Sequence, residues 1–451
     1  MKELELIKKT FSLEETPRIP WVPFIGCHAA HLIGVAADEY LQSPDLIVKG
    51  VAEAIRRYKP DGIPVMFDLQ VEAEALGCQL RWAKDNPPAV VSHPFTNLDT
   101  LKPLKGDEGR IPMILDATRE IRAKYPGIAL YGLITGPFTL AMHLFGTDLF
   151  MKLYEDIDHV HELMKFTTRV GEQMSEWYLD AGCDVIAVVD PMTSQIDPGT
   201  FETFVTPGAI SIFNNIRKKG GLSSFFVCGH AQQNIEVMCK CKPDNISIDE
   251  NIPLDYVKDV ALSREVSFGG NMKLTSVLLM GSVEDTKYEA LDCMEKGGKR
   301  GFVLAPGCDL AMATPPENIE AVGELVHDEY QQQVLRTMER KVKETVKLDL
   351  TNHWKNNKVV IDIITLDSSS CAPCQYMVEA VEHAANEFDD KVIYQEHRIK
   401  EEDGIRMMQT LGVQNLPTIC IDGNIEFISR IPPRKILVET IAKYLQKKEQ
   451  V

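Results

Sequence analysis

Two cysteines stand where short apolar segments give way to glycine-containing loops. Cys228 lies between Val227 and Gly229, and Cys308 follows Gly307. In a closed barrel of parallel strands, the carboxyl ends of all the strands meet at one mouth, so residues far apart in sequence become neighbours. We therefore expect the two thiols to face a single reaction centre.

The residues around this pair indicate zinc chemistry. Two thiolates with one histidine or carboxylate form a tetrahedral zinc site when the fourth position stays open for a substrate. Such an ion acidifies a coordinated thiol, which then attacks as a thiolate at neutral pH. His230 and Glu250 are the candidates for the third ligand. The alternative is that Cys228 and Cys308 are core side chains, as free cysteines often are.

Polar side chains also follow most of the other predicted strands. His28 and Thr135 are candidates for binding a cofactor. Asp68, Asp190 and Asn271 are candidates for catalysis, in which they would position the reacting groups. Loops begin at strand ends, so any one of these residues could be polar without a function. The whole set of polar residues at the predicted strand ends is therefore more informative than any single member.

Eight short apolar segments predict buried strands, and eight is the number of strands in a TIM barrel. Helical periodicity between most of them implies a parallel sheet with crossover helices. The predicted fold class is therefore α/β, with a (β/α)8 barrel over residues 1–330. The predicted strands are Ile19–Ile25, Gly62–Phe67, Ala129–Ile134, Asp184–Val189, Ser224–Cys228, Ile246–Asp249, Ser267–Gly270 and Gly301–Leu304.

A smaller α/β unit is predicted at residues 358–451, after a charged, glutamine-rich linker helix at 331–357. Its first strand, Val359–Leu366, precedes the C-x-x-C sequence that Cys371 and Cys374 form at the start of a helix. Later in this unit, Leu416-Pro417-Thr418 precedes another apolar strand.

Composition excludes several classes of function. The chain has 451 residues, is 44% hydrophobic and carries a net charge of −18, which argues against binding to the phosphates of nucleic acids. We find no apolar run of the ~20 residues that a membrane span needs, and no signal peptide. The eleven cysteines are scattered, which suits a reduced, cytoplasmic protein better than a disulfide framework.

Several motifs in residues 1–330 resemble those of the uroporphyrinogen decarboxylase superfamily, whose members are α/β barrels. They are Gly136-Pro137-Phe138-Thr139-Leu140, Asp180-Ala181-Gly182-Cys183-Asp184, Asp197–Pro207 and Thr314-Pro315-Pro316-Glu317-Asn318. Asp68 matches the pyrrole-binding aspartate of the decarboxylases. The decarboxylases also have an arginine-rich loop after the first strand, whereas Gly26–His31 contains no arginine. A tetrapyrrole decarboxylase is therefore the alternative interpretation.

The sequence is more similar to the corrinoid-dependent methyltransferases of this superfamily. Their zinc motif is His-x-Cys after strand five and a Pro-Gly-Cys turn after strand eight, and Cys228 and Cys308 match the two cysteines. Phe226 stands at the histidine position, so either His230 or Glu250 supplies the missing ligand or the barrel binds no zinc. The resemblance implies Zn²⁺, a methylcobalamin carried by a partner corrinoid protein, and a small thiol or methylated substrate.

Residues 355–448 resemble thioredoxin. The resemblance implies that Cys371 exchanges thiols with a client, that Cys374 resolves the mixed disulfide, and that Pro417 is the cis-proline facing the pair. Zinc binding by the C-x-x-C pair is the alternative. A non-catalytic possibility is a tetrapyrrole- or corrinoid-binding module whose affinity this pair switches.

Overall fold

The computed structural model describes residues 2–94, 101–229, 231–338, 348–350, 357–369 and 371–449. The chain separates into two compact units, Met1–Glu339 and Arg340–Val451. Part of the predicted linker, 331–357, lies outside the described residues.

The first unit is built on a seven-stranded, all-parallel sheet. Its strands follow the order β1-β4-β5-β6-β7-β8-β9, so that each strand pairs with the next strand of this sheet. A short antiparallel hairpin, β2 and β3, lies between β1 and β4 in sequence. The strands are β1 Gly62–Pro64, β2 Leu80–Arg81, β3 Ala89–Val90, β4 Ala129–Thr135, β5 Val185–Val189, β6 Leu222–Val227, β7 Asn245–Ile248, β8 Ser267–Met272 and β9 Phe302–Pro306.

The predicted first strand, Ile19–Ile25, is a connecting segment rather than a regular strand. Trp21 forms a single parallel bridge with Leu304 in β9, and its carbonyl accepts a hydrogen bond of 2.9 Å from the amide of Asp61, just before β1. The segment thus lies between the first and last strands of the sheet. Pro20 and Pro23 have no amide hydrogen to donate, which explains why the pairing stops at one bridge.

Helices connect the strands, and several carry clear end signals. Ser43 caps one helix by accepting the amide of Leu46, and Ser282 with Asp285 forms a capping box on another. The α-helices of this unit are Glu3–Phe11, His28–Leu32, Ala37–Tyr40, Pro44–Tyr58, Val71–Ala75, Ile111–Lys124, Pro137–Phe145, Asp148–Glu155, Ile157–Ala181, Pro198–Phe204, Thr206–Lys218, Ile235–Lys240, Leu254–Ser263, Val283–Gly297, Pro316–His327 and Glu329–Thr337. Pro191–Gln195 and Gln232–Asn234 are 3₁₀ turns, and Leu274–Leu279 is a π-helix.

One face of the sheet points to the interior of the unit, and alternate side chains along the strands fill this interior. Near the carboxyl end of this core, the rings of Phe24 and Phe226 have their centroids 5.0 Å apart, and Phe67 packs edge-on against Phe226 at 6.0 Å. Phe226 is 1% exposed. Because side chains two residues apart share a face of a strand, Cys228 follows Phe226 on the inner side, and both cysteines pack on this cluster.

The second unit contains a four-stranded sheet of order β11-β10-β12-β13, in which β11 is parallel to β10 and the other pairs are antiparallel. Ile361 and Ile363 of β10 face one apolar cluster and Ile364 faces another, so both faces of this strand are covered. The strands are β10 Val359–Thr365, β11 Val392–Arg398, β12 Thr418–Ile421 and β13 Asn424–Ile428, and the α-helices are Ala372–Ala385, Glu402–Leu411 and Arg434–Glu449, with a 3₁₀ turn at Asn386–Lys391.

Among the described residues, no helix combines the length and the apolar character needed to span a bilayer.

Candidate active site

The sulfur atoms of Cys228 and Cys308 lie 2.6 Å apart, although 80 positions separate the two residues in sequence. Cys228 follows β6 and Cys308 follows β9, so both stand at the carboxyl ends of parallel strands. Both side chains are half-buried, above the aromatic core that contains Phe226. The parallel topology therefore brings the two thiols to one point at the mouth of the sheet.

The Cys228 thiol resists ionisation in this position. The adjacent Cys308 sulfur, burial, and the negative charges of Asp249 and Asp309 raise the pKa of the Cys228 thiol well above its ordinary value. A bound cation would reverse this preference, since a metal ion stabilises the thiolates that coordinate it. The two sulfur atoms are therefore suited to bind one metal ion as a pair of ligands.

A third ligand for a metal is not assembled among the described residues, which contain no cluster of three candidate ligands. Glu250 is turned toward the start of the π-helix after β8, where its carboxylate accepts a hydrogen bond from the backbone amide of Leu274. Burial and the neighbouring Asp249 raise the pKa of Glu250 to about 8. His230, the other predicted ligand, lies outside the described residues. The two cysteine sulfurs thus fit zinc as two of its ligands.

The loop carrying Cys308 approaches the loop after β7 closely. A Cβ atom on Gly307 would come within 2.6 Å of the Glu250 backbone nitrogen. Because a side chain there would collide with backbone, glycine is required for this approach. The Pro-Gly-Cys turn noted in the sequence therefore has a steric reason, which is to bring the Cys308 loop against Glu250.

Asp249 and Asn271 fix the loops on this side of the mouth. Asp249 accepts a hydrogen bond of 2.9 Å from the amide of Gly229, the residue after Cys228. The Asn271 side-chain amide donates to the carbonyls of Asp249 and Ile252, at 3.1 and 2.7 Å. Asn271, which we predicted to be catalytic, thus supports the loop that holds Gly229 in place.

Asp68 forms a buried ion pair with Arg110. Its carboxylate accepts a hydrogen bond of 2.6 Å from Nη1 of Arg110, and the same guanidinium donates from Nε to Glu74 at 2.6 Å. Nη2 of Arg110 has no hydrogen-bond partner among the described residues. Arg110 could not be singled out from the sequence, because it lies at a helix start 42 positions from Asp68 and belongs to none of the motifs.

Thr135 binds a buried carboxylate that the sequence did not single out. The amide of Thr135 donates to Glu72 at 2.9 Å, and its hydroxyl lies 2.7 Å from the other carboxylate oxygen and 2.7 Å from the carbonyl of Leu69. Burial raises the pKa of Glu72 to about 7 despite these hydrogen bonds. Glu72 is therefore a titrating group near the carboxyl end of β4.

Asp190 supports the start of the helix Pro137–Phe145. Its carboxylate accepts hydrogen bonds from the amides of Phe138 and Thr139 and from the Thr139 hydroxyl, at 3.1, 2.7 and 2.6 Å. A Cβ on Gly136 would lie 2.2 Å from the Asp190 Cβ, so glycine is needed for the contact. Burial raises the pKa of Asp190 to about 6. All the observed contacts of this carboxylate are structural.

His28 is enclosed rather than open to a ligand. Its two ring nitrogens lie 2.6 Å from the Tyr58 hydroxyl and 3.1 Å from the Met312 carbonyl. Burial lowers the pKa of His28 to about 4, so the ring is neutral at physiological pH. These contacts tie the segment after residue 25 to the helix Pro44–Tyr58.

In the second unit, Cys371 and Cys374 are joined by a disulfide at the start of the helix Ala372–Ala385. Cys374 is fully buried, whereas Cys371 is half-buried. The peptide bond before Pro417 is cis. Cys371 is thus the more accessible sulfur of the pair.

Known proteins resemble about two thirds of this chain. A methylcobamide:CoM methyltransferase from Methanosarcina barkeri is 29% identical over 310 residues, which cover 66% of this chain and 88% of that protein. A uroporphyrinogen decarboxylase from Anaeromyxobacter sp. is 27% identical over 305 residues, covering 64% and 86%. A solved methyltransferase from Methanosarcina mazei superposes with a TM-score of 0.68 at 25% identity, over 72% of this chain and 98% of that one.

A family model described as uroporphyrinogen decarboxylase (URO-D) matches residues 2–329. This range contains both Cys228 and Cys308, together with every strand of the parallel sheet. The chain therefore belongs to the uroporphyrinogen decarboxylase family.

Proposed function

We propose that the first unit transfers a methyl group between a methylcorrinoid, carried by a partner corrinoid protein, and a small thiol at Cys228 and Cys308. The observation that carries this proposal is the 2.6 Å separation of the two sulfurs at the carboxyl ends of β6 and β9. The similarity to methylcobamide:CoM methyltransferases supports the choice of donor and acceptor.

Cys228 and Cys308 would hold a zinc ion, and His230 or Glu250 would supply a third ligand. Zinc bound there supplies Lewis acidity, which favours the thiolate form of an acceptor thiol. The chain itself contributes positioning, because Asp249 binds the amide next to Cys228 and Asn271 holds Asp249 in place. Asp68, Asp190, His28 and Thr135 support the surrounding loops through their buried contacts.

The test combines metal analysis with spectroscopy on the full-length protein. We expect about one zinc per chain, and a change in the visible spectrum of methylcobalamin when a thiol such as coenzyme M is added. Cys308→Ser should lose both the zinc and the methyl transfer. Cys239→Ser is the matched control, because Cys239 is a free, buried cysteine on the helix Ile235–Lys240. Stoichiometric zinc in Cys308→Ser would refute the assignment.

A separate pair of variants identifies the third ligand. If Glu250 binds zinc, Glu250→Gln loses the metal and His230→Gln keeps it, and the reverse holds if His230 is the ligand. Both carboxylate and imidazole are ordinary zinc ligands, so chemistry alone does not choose between them.

For the second unit, which we predicted to occupy 358–451 after the linker 331–357, we propose reversible dithiol exchange of the thioredoxin type. Support comes from the half-buried Cys371 at a helix N-terminus and the buried Cys374 one turn later. Reduction of insulin disulfides by the wild type, abolished in Cys371→Ser, is the expected result. Full activity in that variant would exclude this role.

Decarboxylation of a porphyrinogen is the second candidate, favoured by the family match and by the similarity to uroporphyrinogen decarboxylases. Asp68 argues against it in this chain, because its carboxylate is already paired with Arg110. Turnover of uroporphyrinogen by metal-free protein would establish this activity in place of methyl transfer.

A further inference from the structure

Cys228 and Cys308 differ from the other free cysteines in their accessibility. Nine cysteines are free, and seven of them are buried, whereas these two are half-buried. They are also in direct sulfur contact at 2.6 Å. Two adjacent thiols that solvent can reach form a disulfide once one of them loses its proton, whereas a buried cysteine without a neighbouring sulfur cannot.

We propose that Cys228 and Cys308 form a reversible disulfide that switches the site off by removing both of its sulfur ligands. The part that concerns methyl transfer rests on the function proposed above. The proposed modification is distinct from the disulfide Cys371–Cys374, which lies in the second unit.

The geometry requires little movement for the bond to form. An S–S bond is about 2.05 Å long, so the sulfurs must approach by roughly half an ångström. Both cysteines come after the last residues of their strands, β6 and β9, so the change falls on loops and leaves the strand pairing intact. The hydrogen bond from Gly229 to Asp249 anchors the Cys228 loop on its far side.

The reaction is a balanced thiol–disulfide exchange. The thiolate of one cysteine attacks a small disulfide such as oxidised glutathione, forming a mixed disulfide and releasing one thiol. The second cysteine attacks that mixed disulfide, the S–S bond between Cys228 and Cys308 forms, and the second thiol leaves. The protein loses two electrons and two protons, and the small disulfide gains them. The reverse step requires a dithiol, which is the chemical class of the reduced Cys371 and Cys374 pair.

The experiment oxidises the full-length protein with oxidised glutathione and then alkylates every remaining thiol under denaturing conditions. Peptide mass spectrometry should identify a crosslink between the Cys228 and Cys308 peptides, while Cys239 and Cys293 are alkylated. Zinc release, followed with a chromogenic chelator, should rise in step with the crosslink. Dithiothreitol should reverse the crosslink and restore zinc binding and methyl transfer.

Two variants serve as controls. Cys308→Ser should yield no crosslink and instead carry glutathione on Cys228, whereas Cys239→Ser should form the crosslink as the wild type does. Alkylated Cys228 and Cys308 in oxidised wild-type protein would overturn the proposal. A crosslink in a protein that shows neither zinc nor methyl transfer when reduced would support the disulfide and refute the proposed function, so the two failures are distinguishable.

The reductant is tested with the double variant Cys371→Ser, Cys374→Ser. With limiting dithiothreitol, its recovery of free Cys228 and Cys308 should be slower than that of the wild type by about tenfold or more, because the variant lacks the dithiol that would take part in the exchange. Equal recovery rates would overturn the role of this dithiol as reductant.

Discussion

The two halves of the barrel mouth use their polar side chains differently. On the carboxylate half, after β1, β4 and β5, Asp68 is paired with Arg110, and Asp190 caps a helix. On the sulfur half, after β6 and β9, Cys228 and Cys308 contact each other and remain half-buried. A strand-end position therefore does not define a catalytic residue by itself. The two halves differ in whether the surrounding protein already provides hydrogen-bond or ion-pair partners for the polar side chain.

This comparison predicts different phenotypes for the two halves. Substitutions of the two cysteines should reduce activity with little loss of stability, because their side chains are half-buried and their sulfurs contact each other. Substitutions on the carboxylate half should reduce the free energy of unfolding first, because each removes one partner from a buried polar contact.

The largest effect is expected for Cys228→Ser and Cys308→Ser. Loss of the metal should slow methyl transfer by about a thousandfold, since the electrostatic effect of a metal ion is worth several kcal/mol in a transition state. The free energy of unfolding of the metal-free proteins should change by less than about 1 kcal/mol, because the side chains are half-buried and similar in size. Kinetics with methylcobalamin and denaturant titrations measure the two quantities. A large loss of stability with activity retained would reverse our assignment of the two halves.

Much of the sulfur half could be predicted from the sequence, because its signal is local. Cys228 and Cys308 each follow an apolar strand, and the parallel topology of the barrel then brings all strand ends together. The role of Phe226 could not be predicted in this way. Only the packed core explains it, since its ring packs against Phe24 and Phe67 beneath the cysteines.

The carboxylate half was harder to predict because its partners come from separate loops and helices. Arg110 and Glu72 carry no motif, and their importance follows from being buried beside Asp68 and Thr135. The segment Ile19–Ile25 was predicted to be a strand from its apolar character, but its prolines limit the pairing to one bridge. Long-range pairing of this kind depends on the tertiary fold.

The second prediction tests the carboxylate half with Arg110→Met. Asp68 is 3% exposed and would lose its ion-pair partner, so the free energy of unfolding should fall by about 3–5 kcal/mol. The double variant Arg110→Met, Asp68→Asn should recover more than half of this loss, because it removes the buried charge as well. Urea titration measures both. Unchanged stability with a raised KM for the thiol would instead place Arg110 in substrate binding.

The third prediction concerns pH and Glu72. Its pKa is raised from 4.5 to about 7 in the folded protein, so between these values the native state binds more protons than the unfolded state. Stability should therefore fall as pH rises from 4.5 to 7, by at most about 3 kcal/mol from this group. Glu72→Gln should make the decline shallower without abolishing it, because the raised pKa values of Asp190 and Glu250 act in the same direction.

The control for this experiment is Glu120→Gln, because Glu120 is exposed on the helix Ile111–Lys124. Its stability profile against pH should follow that of the wild type. If the stability of Glu72→Gln still declined fully between pH 4.5 and 7, the titration of another buried group would have to account for the decline.

The smallest effect is expected for Asn271→Ala, which tests whether a positioning residue on the sulfur half behaves differently from a structural one. Asn271 donates two hydrogen bonds to loop carbonyls, and so does Asn318, whose side-chain amide binds the carbonyls of Leu278 and Gly281 at 2.9 and 3.0 Å. Each alanine variant should lose about 1–2 kcal/mol of stability, because buried carbonyls lose their donor.

The two asparagine variants should differ in metal affinity. Asn271 holds the backbone of Asp249, whose carboxylate binds the amide next to Cys228, so its loss should weaken zinc binding by about 10-fold, as outer-shell substitutions do. Asn318→Ala should leave zinc affinity unchanged, because Asn318 lies in the helix Pro316–His327 and binds the carbonyls of Leu278 and Gly281 rather than the loop after β7. Competition with a chromogenic chelator measures the difference. Equal affinities in both variants would mean that the loop after β7 does not position the sulfur pair, and that β6 and β9 alone set its geometry.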